Sequence, residues 1–292
     1  MVSVAALGAT PVLLQQSRSV NQKIFSSAQE SCFHTAYFDL FSKMDAVIDV
    51  FAYQPVTLGV PLEEEQMHLY RRYMSRLFRT FMACKRFTQI RVPTKENAAE
   101  SNLDPNDFIE RMNKAYDIDY ELLYAACERE VKNLENVHEI EVHTGMDAVL
   151  YLNLTGRVWR IDAGDGDIPC GEIYIAPLEK QTNGNVFFET FYLDDIKYAD
   201  VTLRILNGEV IDCSHRQIAK YFAQLPRENR VVCELGIGMN SNVTSLCGYT
   251  VLDEKMAGTF HIAVGANTMF GGNNKASDHI DFVGRGKIEV VT

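Results

Sequence analysis

The sequence predicts the α/β fold class, with a doubly wound N-terminal α/β domain followed by a strand-rich α+β domain. Two observations lead to this prediction. In the first part of the chain, short β-branched runs of strand length alternate with segments whose apolar residues recur at helical spacing. In the second part, the period-two alternation that is typical of half-buried strands dominates. We therefore predict a domain boundary between residues 1–136 and residues 137–292.

The N-terminal part contains three runs of strand length, "ATPVLLQQ", "MDAVIDVFA" and "FTQIRVP". Between the last two lies "PLEEEQMHLYRRYMSRLFRTFMACKR", in which apolar residues recur at helical spacing with arginines on the other face. These apolar residues are Leu69, Met74, Leu77, Phe78 and Phe81. Further along, Asp104 can cap a helix that has Pro105 in its first turn. Strands joined by helices imply a parallel sheet.

The C-terminal part alternates apolar and polar residues through "VHEIEVHTGMDAVLYLNLTGRVWRID", "GNVFFETFYL" and "YADVTLRILNGEVIDC". A single helix, "SHRQIAKYFAQLP", interrupts this pattern. Turn-forming pairs separate the runs, so we expect turns between the strands of this part. These pairs are Thr155-Gly156, Asn183-Gly184 and Asn207-Gly208.

The composition limits the possible functions. Of the 292 residues, 47% are hydrophobic and 23% are charged, which is close to the average of soluble globular proteins. The formal net charge of −11 argues against binding to nucleic acid, because an acidic surface repels phosphate groups. No apolar run is long enough to span a membrane, and the N-terminus lacks the basic segment of a secretion signal. The seven cysteines form no CxxC pair, which favours a reduced, cytoplasmic protein.

Carboxylates and imidazoles that lie beside glycines form a candidate metal site. They are Glu172, Glu234, His261 and the pair His279 and Asp281, whose i, i+2 spacing places both side chains on one face of a strand. Each residue alone is more often structural than metal-binding. Together, such ligands suit Zn²⁺, Mn²⁺, Co²⁺ or Fe²⁺, and their number fits two ions that share a bridging carboxylate.

The segments around these residues resemble the M29 family of metallo-aminopeptidases. The resemblance is carried by "GRVWRIDAGDGDIPCGEIYIAP", "NRVVCELGIGMNSNV", "LDEKMAGTFHIAVG" and "GGNNKASDHIDFV". It implies that the five residues bind two divalent ions (zinc, cobalt or manganese) that activate a water for attack on the first bond of a peptide substrate. It also implies that Glu172 or Glu234 shuttles a proton, and that the protein is a homodimer.

The chain differs from the family pattern in three ways. Thr268 stands where the family has a tyrosine ligand. The segment between the two histidines is short, with 17 intervening residues. The N-terminal domain also looks shortened.

Two other interpretations stay open. The glycine-rich approach to His279 is also similar to dihydroxypyridine ring-cleaving dioxygenases, a related branch that holds one Fe(II) with two histidines and an aspartate and acts on a small molecule. Because this chain keeps both Glu172 and Glu234, the two-metal hydrolase is favoured. The third interpretation is a non-catalytic member in which metal only stabilises the fold.

Two acidic segments near these residues receive structural interpretations. We expect Asp253, Glu254 and Lys255 to form a hydrogen-bonded turn. We expect the loop "DAGDGD", which begins at Asp162, to be solvated.

Overall fold

A computed structural model of the protein describes residues 1–52, 62–145, 147–194 and 196–291. The chain forms two compact units, Met1–Val92 and Pro93–Thr292. No helix in the described ranges is long and apolar enough to cross a membrane. All seven cysteines lie in the described ranges, and each is a free thiol.

The first unit combines helices with a pair of parallel strands. Its elements are α1 (Val2–Ala6), α2 (Arg18–Ser27), α3 (Thr35–Phe41), β1 (Val47–Phe51), α4 (Glu64–Met82) and β2 (Phe87–Arg91). β1 and β2 pair in parallel, as the sequence predicts, and the long helix predicted between them is confirmed as α4. Aromatic and aliphatic side chains of α2, α3 and α4 form the core of this unit, with Phe25, Tyr73 and Leu77 among its buried members.

The strand predicted at "ATPVLLQQ" is wrong. Residues 9–16 have no regular secondary structure, and Val12 and Leu13 are exposed. A β-branched run becomes a strand only where a neighbouring strand satisfies its backbone groups. In the described ranges, residues 9–16 have no such pairing.

The second unit begins with helices that pack against its later segments. The helices of this unit are α5 (Lys95–Glu100), α6 (Pro105–Tyr116), α7 (Tyr120–Leu134), α8 (Arg216–Gln224) and α9 (Thr250–Asp253). The Asp104 carboxylate caps α6 by accepting hydrogen bonds from the backbone N–H groups of Asn106 and Asp107, and Pro105 occupies the first turn, as predicted.

The compact units divide at Val92, 44 residues before the predicted boundary at residue 136. The physical reason lies in the packing of α6 and α7. Phe108 of α6 belongs to a cluster that contains Met256, and Leu123 of α7 belongs to the main core of the second unit. Residue 136 therefore lies inside the second unit, between α7 and the strands. As a limit between functional domains, the boundary at 136 stays a prediction.

Two antiparallel sheets make up the rest of the second unit. One sheet has the strand order β10-β9-β8-β4-β3-β14, and the other has the order β13-β12-β11-β7-β5. The strands of the unit are β3 (Glu139–Thr144), β4 (Ala148–Asn153), β5 (Arg160–Asp162), β6 (Asp167–Ile168), β7 (Glu172–Ile175), β8 (Asn183–Leu193), β9 (Ile196–Leu206), β10 (Glu209–Cys213), β11 (Val232–Gly238), β12 (Phe260–Gly265), β13 (His279–Gly284) and β14 (Lys287–Val290). Side chains of both sheets share one core, where Phe188 of β8 contacts the rings of Phe260 and Phe282.

The two Asn-Gly pairs have different roles. Asn207 and Gly208 form the predicted two-residue turn between β9 and β10, and both have positive φ. Asn183 and Gly184 instead begin β8, so a turn at this position is a wrong prediction. The missing side chain of Gly184 lets the backbone of Val149 approach closely.

Candidate metal centre

The residues of the predicted site lie on one face of the five-stranded sheet. Along each strand, apolar side chains such as Ile173 and Leu235 enter the core, and the alternate residues point to the other face. Four neighbouring strands supply the site: β7 carries Glu172, β11 carries Glu234, β12 carries His261, and β13 carries His279 and Asp281.

Small residues at the paired positions make room for these side chains. Ala263 lies between Glu234 and Asp281 in the strand register, and Gly265 pairs with His279. Gly236 pairs with His261, and a β-carbon at position 236 would lie 2.8 Å from Cδ2 of that imidazole and closer still to Nε2 and Cε1. A side chain at 236 would therefore occupy the space into which the His261 ring projects.

All five predicted residues are brought together in a chain of contacts. Nε2 of His261 lies 3.4 Å from Oε2 of Glu172 and 3.2 Å from Oε1 of Glu234. Nε2 of His279 lies 3.6 Å from Oε2 of Glu234 and 3.4 Å from Oδ1 of Asp281. Glu234 is thus the central carboxylate, with one oxygen toward each histidine.

One subset of these residues already has the spacing of a metal site. Glu234, His279 and Asp281 each offer a ligand atom, and these atoms all lie within 4.8 Å of one another. His279 is 31% exposed, whereas His261 is 1% exposed, so solvent reaches the site from the β13 side.

A backbone carbonyl orients the His279 ring. Nδ1 of His279 lies 2.8 Å from the carbonyl oxygen of Ala266, so the N–H at this position donates to that oxygen. This arrangement makes Nε2 the ring nitrogen that can bind a metal once it has lost its proton, as in most protein sites with histidine ligands. The Cys233 sulfur, 3.6 Å from Nδ1, also contacts the ring.

Buried polar atoms without partners mark the same place. Among the described residues, Oε2 of Glu172, Oδ1 of Asp281 and Nδ1 of His261 are buried and have no hydrogen-bond partner. An unsatisfied buried oxygen of this kind is costly in free energy. A cation bound between the carboxylates would satisfy both oxygens, so the donor set fits a divalent metal ion.

The ionisation of the site also fits a cation-binding role. Burial raises the pKa of the Glu172 carboxyl to about 8, against the opposing effect of Lys255. Burial lowers the pKa of His261, but the neighbouring Glu234 and Glu172 outweigh this effect and raise it to about 9. The same balance, with Asp281 as the main partner, raises the pKa of His279. At neutral pH, protons therefore occupy positions that a metal ion would take.

Three charged residues next to the site were assigned other roles from the sequence. Lys255 is 1% exposed, and its ammonium lies 2.5 Å from Oε1 of Glu172, 2.8 Å from Oε1 of Glu254 and 3.5 Å from Oδ2 of Asp162. The solvated loop predicted at Asp162 is therefore wrong for this residue, which is buried. The hydrogen-bonded turn predicted at Asp253, Glu254 and Lys255 is confirmed. The N–H groups of Glu254 and Lys255 donate to the carbonyl oxygens of Thr250 and Leu252, and the Asp253 carboxylate accepts hydrogen bonds from the N–H groups of Cys247 and Gly248.

Two aromatic rings border the site beside His279. Thr268 is exposed and begins a short 3₁₀ turn, Thr268–Phe270. The Phe270 ring meets the edge of His279 at a centroid distance of 5.8 Å and that of Tyr174 at 5.5 Å. Tyr174 lies two residues after Glu172 on β7 and therefore on the same face of the sheet. Its spacing from Glu172 is the sequence signal that could have identified it.

The chain is similar to known proteins in sequence and in fold. The sequence matches the family model described as thermophilic metalloprotease (M29) over residues 3–286. No curated protein matches the chain. Among solved structures, wild-type AmpT from Thermus thermophilus is similar, with a TM-score of 0.69 and 16% identity over 100% of this chain and 88% of that chain. The 2,5-dihydroxypyridine dioxygenase from Pseudomonas putida KT2440 is similar with a TM-score of 0.59 and 15% identity, over 87% of this chain and 71% of that one. At these identities, both similarities show a shared fold.

Proposed function

Because the chain belongs to the M29 family of thermophilic metalloproteases, we propose that it is a metal-dependent aminopeptidase that removes N-terminal residues from peptides. The observation that carries this proposal is the convergence of Glu172, Glu234, His261, His279 and Asp281 on one face of a sheet. Two divalent ions, held by these five residues, would supply an activated water and polarise the peptide carbonyl.

The charge of the buried cluster favours two ions over one. The cluster contains five carboxylates and one ammonium, which leave a charge of −4 once a metal ion has displaced the protons, so that every carboxyl is ionised and both histidines are neutral. These residues are Asp162, Glu172, Glu234, Glu254, Asp281 and Lys255. Buried charge is tolerated only where it is compensated. Two divalent cations would balance this cluster, whereas one would leave half of the charge uncompensated.

The residues around the proposed metal ions have different roles in this proposal. Glu234 has one oxygen toward each histidine and is the carboxylate best placed to lie between two ions. Glu172 is the better placed to accept the proton of the attacking water, because its Oε2 has no hydrogen-bond partner among the described residues. Tyr174 and Phe270 form an aromatic wall beside the exposed edge of His279, where a substrate side chain can pack.

Metal analysis combined with peptide hydrolysis tests the proposal. Full-length protein that is purified without chelator should contain two zinc, cobalt or manganese ions per chain. It should hydrolyse an aminoacyl nitroanilide but not the N-acetylated compound, because the proposed reaction requires a free amino terminus. The Glu234→Ala variant should fold and lose turnover. The matched control, Glu189→Ala, changes an exposed carboxylate on β8 and should keep wild-type turnover. Wild-type turnover in Glu234→Ala would contradict the proposal.

A mononuclear iron dioxygenase is the second candidate. The compact group of Glu234, His279 and Asp281 offers three ligand atoms, the number that a mononuclear iron site of this class needs. The fold similarity to a dihydroxypyridine dioxygenase supports this candidate. One iron per chain with oxygen consumption on a dihydroxypyridine would favour it over the aminopeptidase.

The same purified protein also tests the non-catalytic interpretation and the oligomeric state. Absence of bound metal, with a melting temperature that EDTA leaves unchanged, would favour the non-catalytic interpretation. The homodimer implied by the family resemblance stays a prediction, and sedimentation equilibrium would test it. The cytoplasmic location also stays a prediction.

A further inference from the structure

Lys255 is a buried cation in contact with the candidate metal centre. Its side chain is 1% exposed, and its three ionic partners among the described residues are Glu172, Glu254 and Asp162. An ammonium group is rarely buried unless it is paired, because removal from water is costly. Of the three partners, only Glu172 also contacts a histidine of the site.

The backbone holds Lys255 in place. Its N–H donates to the carbonyl oxygen of Leu252, and its own carbonyl oxygen accepts a hydrogen bond from the N–H of Asn240 at 2.8 Å. Gly238 lies close to the same segment, since a β-carbon there would be 2.9 Å from the carbonyl oxygen of Glu254. The ammonium therefore projects toward Glu172 from a fixed backbone position.

The two oxygens of Glu172 have different environments. Oε1 lies 2.5 Å from the ammonium of Lys255, a residue 83 positions away from Glu172 in the sequence. Oε2 lies 3.4 Å from Nε2 of His261 and has no hydrogen-bond partner among the described residues. A carboxylate has only one free rotation about its terminal bond, so an anchor on Oε1 also determines the direction of Oε2.

We propose that Lys255 is a positioning residue that anchors Glu172 and thereby sets the affinity of the metal position between Glu172 and His261. This inference rests on the proposed two-metal function. The contact between Lys255 and Glu172 makes the two metal positions of the centre unequal. The position at Glu234, His279 and Asp281 has no contact with Lys255, whereas the position at Glu172 and His261 depends on it.

The sign of the effect separates positioning from simple electrostatics. Loss of a positive charge next to a dication would strengthen metal binding if charge alone mattered. Loss of the anchor frees Glu172 to rotate, and removal of a residue that orients a ligand typically weakens metal binding by about 10- to 100-fold. A Lys255→Met variant retains the length of the side chain and removes its charge, so the two explanations predict opposite results.

Titration of metal-free, full-length protein with Zn²⁺ and with Mn²⁺ tests the inference by calorimetry. Wild-type protein should bind two ions in two steps. Lys255→Met should bind the ion at Glu172 and His261 about 10- to 100-fold less tightly, so that this ion fills the second step, and should keep the other position within about threefold of wild type. The control Lys287→Met makes the same substitution at an ammonium that is 76% exposed and lies outside the cluster, so both steps should stay within about threefold.

A double variant guards against failure of Lys255→Met to fold. Lys255→Met combined with Glu254→Gln removes one charge of each sign and keeps the net charge of the cluster. It should show the same selective loss of the second step, and circular dichroism would check its fold. Two-step binding at wild-type affinity in either Lys255 variant would overturn the inference while leaving the two-metal proposal intact. A single step in wild-type protein would overturn the two-metal proposal itself, and the inference with it.

Discussion

Substitution of Gly236 by alanine tests whether the space above β11 is needed to position a metal ligand. The new β-carbon would lie 2.8 Å from Cδ2 of His261 and closer still to Nε2, where ordinary contacts begin at 3.4 Å. The ring must therefore move by at least 0.6 Å at Cδ2 and by more at Nε2. His261 is fully buried, so its surroundings resist this movement.

Two consequences follow, with different magnitudes. Insertion of a methyl group into a packed interior costs about 1 to 3 kcal/mol of folding free energy. Metal sites tolerate deviations of about 0.2 Å in ligand distance, so a shift of the required size should remove Nε2 as a ligand. We expect Gly236→Ala to lower metal affinity by at least about 100-fold, which corresponds to about 2.7 kcal/mol.

Calorimetric metal titration and urea denaturation of the metal-free protein would separate the two effects. The matched control is Gly284→Ala, in which the new β-carbon would lie 2.8 Å from Cζ of Phe260 and away from the predicted ligands. Both variants should lose similar stability, but only Gly236→Ala should lose metal affinity. The reasoning is refuted if Gly236→Ala binds metal as wild type does, or if Gly284→Ala loses metal affinity to the same extent.

Three more predictions concern the same region. The metal-free protein should lose stability as pH rises from about 6.5 to 9, because the folded state holds the proton of His261 (pKa about 9) more tightly than an unfolded chain does. The difference between the folded and unfolded pKa of His261 corresponds to about 3 kcal/mol of folding free energy. Glu172 (pKa about 8) acts in the same direction. Urea denaturation at pH 6 and pH 9.5 measures this, and equal stability at both would contradict it. His279→Ala should remove the metal position that this residue forms with Glu234 and Asp281 and abolish turnover while the chain still folds; binding of two ions by this variant would count against the assigned centre. Glu179→Ala should lower the free energy of unfolding, measured by urea denaturation, by about 3 kcal/mol. The variant leaves the guanidinium of Arg157 and the side-chain amide of Asn267 without their carboxylate partner. A loss below about 1 kcal/mol would show that these contacts are unimportant for stability.

Some parts of the structure could be predicted because the signal is local. The Asp104 cap with Pro105 predicts the start of α6, and apolar residues at helical spacing predict α4. The i, i+2 spacing of His279 and Asp281 predicts that both lie on one face of a strand, which β13 confirms. In each case the determining atoms lie within a few residues of one another.

Other parts depend on distant partners that a local pattern does not reveal. Residues 9–16 have the composition of a strand but are not paired. Lys255 and Asp162 look like solvated surface residues in sequence, and their burial follows only from a contact across 93 positions of the chain. Gly236 reads as an ordinary strand glycine until the strand register places it opposite His261.

The placement of the five predicted ligands on four adjacent, hydrogen-bonded strands has a consequence for divergence within the family. Spacing between neighbouring strands is held near 4.8 Å by the backbone itself, so relative positions of these side chains are set by the ladder and not by the connecting segments. Exposed residues of the segment 268–278, which joins β12 to β13, can therefore change and reshape the approach to the centre. Members of the family can thus acquire new substrates through changes in the connecting segments, while the relative positions of the predicted metal ligands stay the same.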